Sequence, residues 1–178
     1  QRCYGGGVFC SNGVSDLRID NCIFEYGSYL TNAVVRHTIF DLQFTNAGHA
    51  FTNCDIRNSM LFPCTNNTFK NSSFSYNIIF GCDPGLGGTN IPNVDGNSVF
   101  LGYPNAAGYS NDGRYMLRQG SIARQAGENG VDIGPFGGSN PYKLSGISFH
   151  PNIWSVTMPT TGTSEGGLQV QIKANANN

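Results

Sequence analysis

Glu25, Asp41 and Arg57 stand 16 residues apart and Ser75 follows 18 later, each directly after a bulky hydrophobe: Phe24, Phe40, Ile56 and Phe74. If the chain coils at that period, the four polar side chains form one outward row. Stacked carboxylates are the oxygen ligands that a hard cation such as calcium takes. A basic group in line with them can remove a proton from a bound molecule. The competing reading is an ordinary exterior salt ladder, as in the neighbouring row of Asp20, Arg36, Thr52 and Lys70. Calcium apart, no cofactor is called for.

Other residues invite chemistry less directly. Asp112, Glu128 and Asp132 lie beside glycines in NDGRY and ENGVDIG, which superficially suits a cation. Their spacing matches no EF-hand loop, and turn formation accounts for Asx-Gly pairs. Tyr26, Tyr76, Tyr109 and Trp154 offer ring faces for stacking on sugars, although single surface aromatics are common. His37 replaces an Asn of a repeated corner, and His49 and His150 fall in turn-like contexts too distant in sequence to suggest a metal pair. The Gly-Gly-Gly at 5–7 lacks the Lys of a phosphate loop, and the chain has no Cys-x-x-Cys and no nucleophile elbow.

What must position these residues is a repeat. Two positions before the bulky column stand Cys22, Thr38, Cys54 and Ser72, and one further back Asn21, His37, Asn53 and Asn71. Five before it stand Ile19, Val35, Phe51 and Phe69. A fixed period of this kind marks a solenoid. Alternate strand residues face one side, so the small and bulky columns point inward together. The hydrophobe five positions earlier has the wrong parity unless the chain bends between them. Asn does this by tolerating the left-handed conformation. The expected fold is all-β: a parallel β-helix with coils of about 16–18 residues and a C-terminal β cap.

Composition agrees. The 178 residues include 24 Gly and only 12 % charged residues, with a net charge of −1. Gly and Asn disfavour helix interiors, and no basic face points to nucleic acid. No apolar run is long enough to span a membrane. The chain opens with Gln, without a charged-then-apolar leader, and is expected to be a fragment or a processed form.

Residues 1–90 resemble the right-handed β-helix proteins of the pectate-lyase-like superfamily. The small residues at Cys54, Ser59 and Cys64 and at Ser72, Asn77 and Cys82 add a likeness to pentapeptide-repeat helices. Residues 112–147, DGRYMLRQGSIARQAGENGVDIGPFGGSNPYKLSGI, resemble the segment that closes the β-helix in many secreted bacterial surface proteins, with Ile122 where those usually carry Pro. The resemblance implies secretion or surface attachment, and a segment over the open end of the helix. Polysaccharide lyases of this architecture hold calcium on outer carboxylates and use a basic group to take a ring proton. Carried over, these roles would fall on Glu25, Asp41 and Arg57. Hydrolytic relatives use clustered aspartates, which the chain lacks.

Six cysteines lie at 3, 10, 22, 54, 64 and 82. Cys22 and Cys54 fall two rungs apart, too far for a disulfide. Cys64 and Cys82 fall on adjacent rungs and can pair, while most thiols are expected to stay reduced and buried. Residues 1–90 are read as coils and 91–147 as an irregular closing segment with one short strand near Ser98 to Leu101. Residues 148–178 are read as a strand pair, NIWSVTMP with GLQVQIKA, or the start of a further β-domain. The functional expectation is a secreted or cell-surface β-helix protein, adhesin-like, binding polysaccharide or cell-surface glycan without catalysis in this segment. The alternatives are a calcium-assisted polysaccharide lyase and the purely structural end of a longer β-helix enzyme. Oligomeric state is not legible.

Overall fold

The computed structural model describes residues 4–10, 16–41, 48–62, 67–144, 152–159, 161–162, 167–168 and 170–175. They form two compact units, 1–143 and 144–178.

The first unit is a parallel β-solenoid of about four turns. Strand β1 (Tyr4–Gly5) precedes the first complete turn, which holds β2 (Leu17–Asp20), β3 (Ile23–Phe24) and β4 (Tyr29–Thr31). The second holds β5 (Ala33–Arg36), β6 (Ile39–Phe40) and β7 (Ala50–Thr52). The third holds β8 (Asp55–Arg57), β9 (Met60–Leu61) and β10 (Thr68–Lys70). After them come β11 (Ser73–Ser75), β12 (Ile78–Phe80) and β13 (Ile91–Val94). Three sheets run along the axis, in the orders β1-β3-β6-β9-β12-β13, β10-β7-β4 and β11-β8-β5-β2. Every pairing in them is parallel.

Each turn bends at two left-handed corners. Asn21, His37, Asn58 and Tyr76 lead from the β2-type strand to the β3-type strand; Asp16, Asn32, Asn53 and Asn71 form the other corner. All eight have φ between 49° and 63°. Such a corner interrupts the strand ladder, and the residue after it repairs the loss. Thr38 and Ser59 hydroxyls each donate to the carbonyl two residues back, at 2.9 Å. The Ser59 hydroxyl also accepts the Thr38 N–H, and the Asn77 carboxamide accepts the Ser59 N–H. Buried main-chain groups need such partners. Cys22 and Cys54 occupy equivalent posts, their thiols donating to the Asp20 and Thr52 carbonyls. That explains small polar residues and cysteine in one column.

These corners are a backbone requirement before they are a side-chain one, because a left-handed L-residue costs about 1–2 kcal/mol where neither Gly nor Asx occupies it. Asn53→Ala is therefore expected to lower stability by about 1–2 kcal/mol, read from the urea midpoint, and Asn53→Gly by much less. Equal losses would show that the Asn53–Asn32 amide bond of 3.1 Å, not the backbone, matters at this corner.

The register differs from the expected one. Ile19, Val35, Ile56 and Phe74 share one column, and Phe24, Phe40, Leu61 and Ile79 another. Phe24, Phe40, Ile56 and Phe74 thus meet in one core, as the repeat required, but from two sheets. The connection 41–49 is five residues longer than its counterpart 25–28. Five residues is also the distance between the two corners of one turn, as from Asn53 to Asn58. Aligning like corner with like corner therefore slips by one strand after the second turn. The five-residue recurrence of small residues is that same corner-to-corner distance.

The interior is aromatic: Phe40 packs on Phe51 and Phe24, and Phe69 on Phe51 and Phe74. His49, read as a turn residue, lies inside this core, stacked on Phe51 with its Nε2 3.1 Å from the Phe62 carbonyl oxygen. Burial pulls its pKa down to about 4. In the unfolded chain the imidazole titrates near 6.5, so it takes up a proton there first. The contribution is complete above about pH 6.5 and is lost as pH falls toward 4, on the order of 3 kcal/mol. His37, also lowered by burial, adds with the same sign. His49→Phe is expected to flatten this part of the stability-versus-pH curve measured by urea unfolding. An unchanged slope would remove His49 as its source.

Cys10, Cys22 and Cys54 are thiols, and Cys82 is disulfide-bonded. Cys64, which could pair with it from an adjacent rung, lies outside the described residues, as do Cys3 and His150. The strand expected near Ser98 to Leu101 is instead a helical turn, α1 (Gly96–Val99), because Asp95 caps it by accepting the Asn97 N–H at 3.0 Å. Phe100 then makes an isolated antiparallel bridge to Leu117.

In the second unit, β14 (Asn152–Thr157) and β15 (Gln171–Asn175) pair antiparallel, the strand pair expected from their alternation. Among the described residues no helix is long and apolar enough to cross a membrane.

Candidate functional site: a polar cleft beside a flank-bound strap

Pairs of adjacent hydrophobes decide where the second half of the first unit goes. In β3, β6, β9 and β12 one member of each pair, Phe24, Phe40, Leu61 or Ile79, joins the interior. The member before it, Ile23, Ile39, Met60 or Ile78, must face the other way, yet all four are fully buried. They are covered from outside by a strap, residues 96–143. Gly134 of the strap lies on Met60: an added Cβ would be 2.9 Å from its Cε. The Gly134 N–H donates to the Asn58 carbonyl, and the Asn21 amide donates to the carbonyls of Pro135 and Gly137. The segment expected over an open end of the helix thus runs along its flank across several turns.

The next outward column is Glu25, Asp41, Phe62 and Phe80, aligned by N–H bonds from Asp41 to Phe24 and from Phe62 to Phe40. The strap matches it chemically. Phe100 and Tyr103 pack on Phe62, and Phe100 also on Phe80. Arg114 and Tyr115 meet the carboxylates: Arg114 pairs with Glu25 and donates to the Tyr115 oxygen at 2.9 Å, and Tyr115 donates to Asp41 at 2.6 Å. Tyr4 donates to the other Glu25 oxygen at 2.8 Å. Burial, reinforced by Asp41, drives the Tyr115 pKa up; burial and Glu25 do the same to Tyr4. Both phenols therefore stay protonated as donors.

This corrects the outward row of Glu25, Asp41, Arg57 and Ser75. Glu25 and Asp41 share a column but are buried under the strap, at 9 % and 1 % exposure. Arg57 and Ser75 belong to the column of Asp20 and Arg36. There Asp55 accepts from Arg36 at 2.6 Å and from Arg57 at 3.1 Å, and Arg57 also reaches Glu128 at 3.0 Å. Burial pushes the Asp55 carboxyl upward, but bonds from Arg36 and Arg57 outweigh it and hold it below its ordinary value.

The candidate cation ligands are dispersed. Asp112 accepts from Tyr142, Ser110 and the Gly113 N–H. Glu128 binds Arg57, and Asp132 accepts the Gln125 N–H. Among the described residues no group of three or more His, Cys, Asp and Glu could hold a metal ion. The candidate sugar-stacking rings belong to different elements. Tyr26 is exposed beside the first turn, Tyr76 stands at a corner of the solenoid, and Trp154 belongs to β14 in the other unit.

The structure instead brings together residues that spacing alone did not single out as a set. A cleft of about 590 Å³ opens between the corner column and the strap, lined by Arg18, Asp20, Asn21, Arg36, His37, Glu128, Asn129, Ser139 and Asn140. One wall is the exterior of β2 and β5 with their corners; the other is two strap loops. The first loop is seated by Asn58, whose side-chain oxygen accepts the Glu128 N–H at 2.8 Å. Gly127 permits that approach, since a Cβ there would be 2.8 Å from the same oxygen. The second loop follows Gly137 and Gly138, which lie so close to the His37 ring that a Cβ would come within 3.1 Å and 2.7 Å. The lining can donate and accept hydrogen bonds over a concave surface, within the usual size range of small-molecule sites. The glycines in GENG and FGG were the only sequence sign that loops must approach something closely.

Comparison with protein-family models, curated proteins and solved structures finds no match to this chain.

Proposed function

We propose that the chain is a glycan-binding, adhesin-like part of a secreted or cell-surface β-helix protein, non-catalytic in this segment. The observation that carries the reading is the polar cleft on the solenoid flank, where amide, hydroxyl, carboxylate and guanidinium groups converge. Such groups recognise a polyhydroxylated ligand by hydrogen bonds. The resemblance of residues 1–90 to pectate-lyase-like β-helices, and of 112–147 to segments of bacterial surface proteins, supports secretion and a saccharide ligand.

The non-catalytic part rests on Glu25 and Asp41. A general acid or base must reach the atom it serves within about 2.6–3.2 Å, and these two are sealed beneath Arg114 and Tyr115. The reading is tested on a glycan array, followed by incubation of any bound polysaccharide with the chain. Retention of glycans without new ultraviolet absorbance from eliminative cleavage is expected. Cleavage lost in Arg57→Ala would establish the lyase instead, and retention of no glycan would leave the chain a structural element.

A further inference from the structure

From the charge balance of the cleft we infer that its ligand is a neutral oligosaccharide rather than a uronate or another acidic sugar, an inference that rests on the glycan-binding reading above. The lining holds two guanidiniums, Arg18 and Arg36, and two carboxylates, Asp20 and Glu128. Each already has an opposite charge of the protein in contact. Arg18 meets Asp20 at 2.6 Å, Arg36 meets Asp55 at 2.6 Å, and Glu128 meets Arg57 at 3.0 Å. His37, the remaining titratable group of the lining, is kept neutral at pH 7 by burial. A polyanion entering here would have to break these pairs or sit beside Asp20 and Glu128 without a compensating cation.

Neutral hydroxyl groups meet no such obstacle. Asn129, Ser139 and Asn140 line the mouth, exposed, and among the described residues their side chains make no hydrogen bond. Asn129 has a left-handed backbone at φ 61°. A sugar hydroxyl both donates and accepts, so it can bridge a carboxamide and a neighbouring ion pair without separating the charges. The lining contains no Phe, Tyr or Trp, so recognition depends on hydrogen bonds without ring stacking, and millimolar affinity is expected.

The test uses the full chain with four probes, xylohexaose, cellohexaose, mannohexaose and hexagalacturonate, in saturation-transfer NMR and calorimetric titration at low and high salt. At least one neutral hexaose is expected to bind with an affinity unchanged by salt, since screening acts on charges. The combined Asn129→Gly, Ser139→Ala and Asn140→Ala variant, in which Gly keeps the left-handed backbone of position 129, is expected to weaken it by about fivefold or more with little change in melting temperature. These side chains are exposed and not bonded to the protein, so folding should survive. Preferred binding of hexagalacturonate that fades with salt would overturn the neutral ligand. Undiminished binding by the triple variant would overturn the cleft while leaving glycan binding intact. Failure of all four probes, with an array that retains other glycans, would overturn this ligand class alone; a silent array would remove both readings.

Discussion

Arg114→Met is expected to lower the unfolding free energy by about 3–5 kcal/mol, measured by urea denaturation at neutral pH. The guanidinium pairs with Glu25 and shares the Tyr115 oxygen that donates to Asp41. Removing it takes the guanidinium from the Glu25 carboxylate, which is buried at 9 % exposure. The methionine keeps much of the volume, so the loss reports charge rather than a cavity. Adding Glu25→Gln to the same chain should recover about 1–2 kcal/mol, because one uncompensated charge is gone. A loss below about 1 kcal/mol for Arg114→Met would mean that the strap does not depend on this pair.

Gly137→Ala is expected to cost about 2–3 kcal/mol through overpacking. Its added Cβ would stand 1.9 Å from the Asp132 carbonyl oxygen, and main chain cannot step aside as a side-chain tip can. The Gly134 N–H, which bonds the Asn58 carbonyl at 2.8 Å, should exchange faster with deuterium as the strap loosens. Gly6→Ala is the control: its methyl would meet only the Tyr26 ring at 3.7 Å, an ordinary contact, so a change under about 0.5 kcal/mol is expected. Equal behaviour of the two variants would show that the strap has room that its geometry does not suggest.

The solenoid itself was legible because its requirements are local. An Asn at a left-handed corner, a small donor after it and a hydrophobe two further on are all set within a few residues of chain. Asn21, His37, Asn53 and Asn71 behave as the parity argument required, each with φ near 50°. The register was not legible beyond the second turn. Both corners of a turn carry the same local pattern, and only the strand pairing tells Asn53 from Asn58. The adjacent hydrophobes Ile23-Phe24 and Ile39-Phe40 did signal burial on both faces, but they do not say what covers the outer one.

The sequence by itself determined a parallel β-solenoid turned at asparagine corners, because the left-handed bend and the inward parity are properties of neighbouring residues. Only the tertiary structure decided the fate of the polar residues. Glu25 and Asp41 look like an exterior row until Arg114 and Tyr115, far along the chain, close over them. The cleft exists because two strap loops arrive beside Arg18 and Asp20. Such meetings are set by the packing of 96–143 on an apolar flank, and no short-range pattern encodes them.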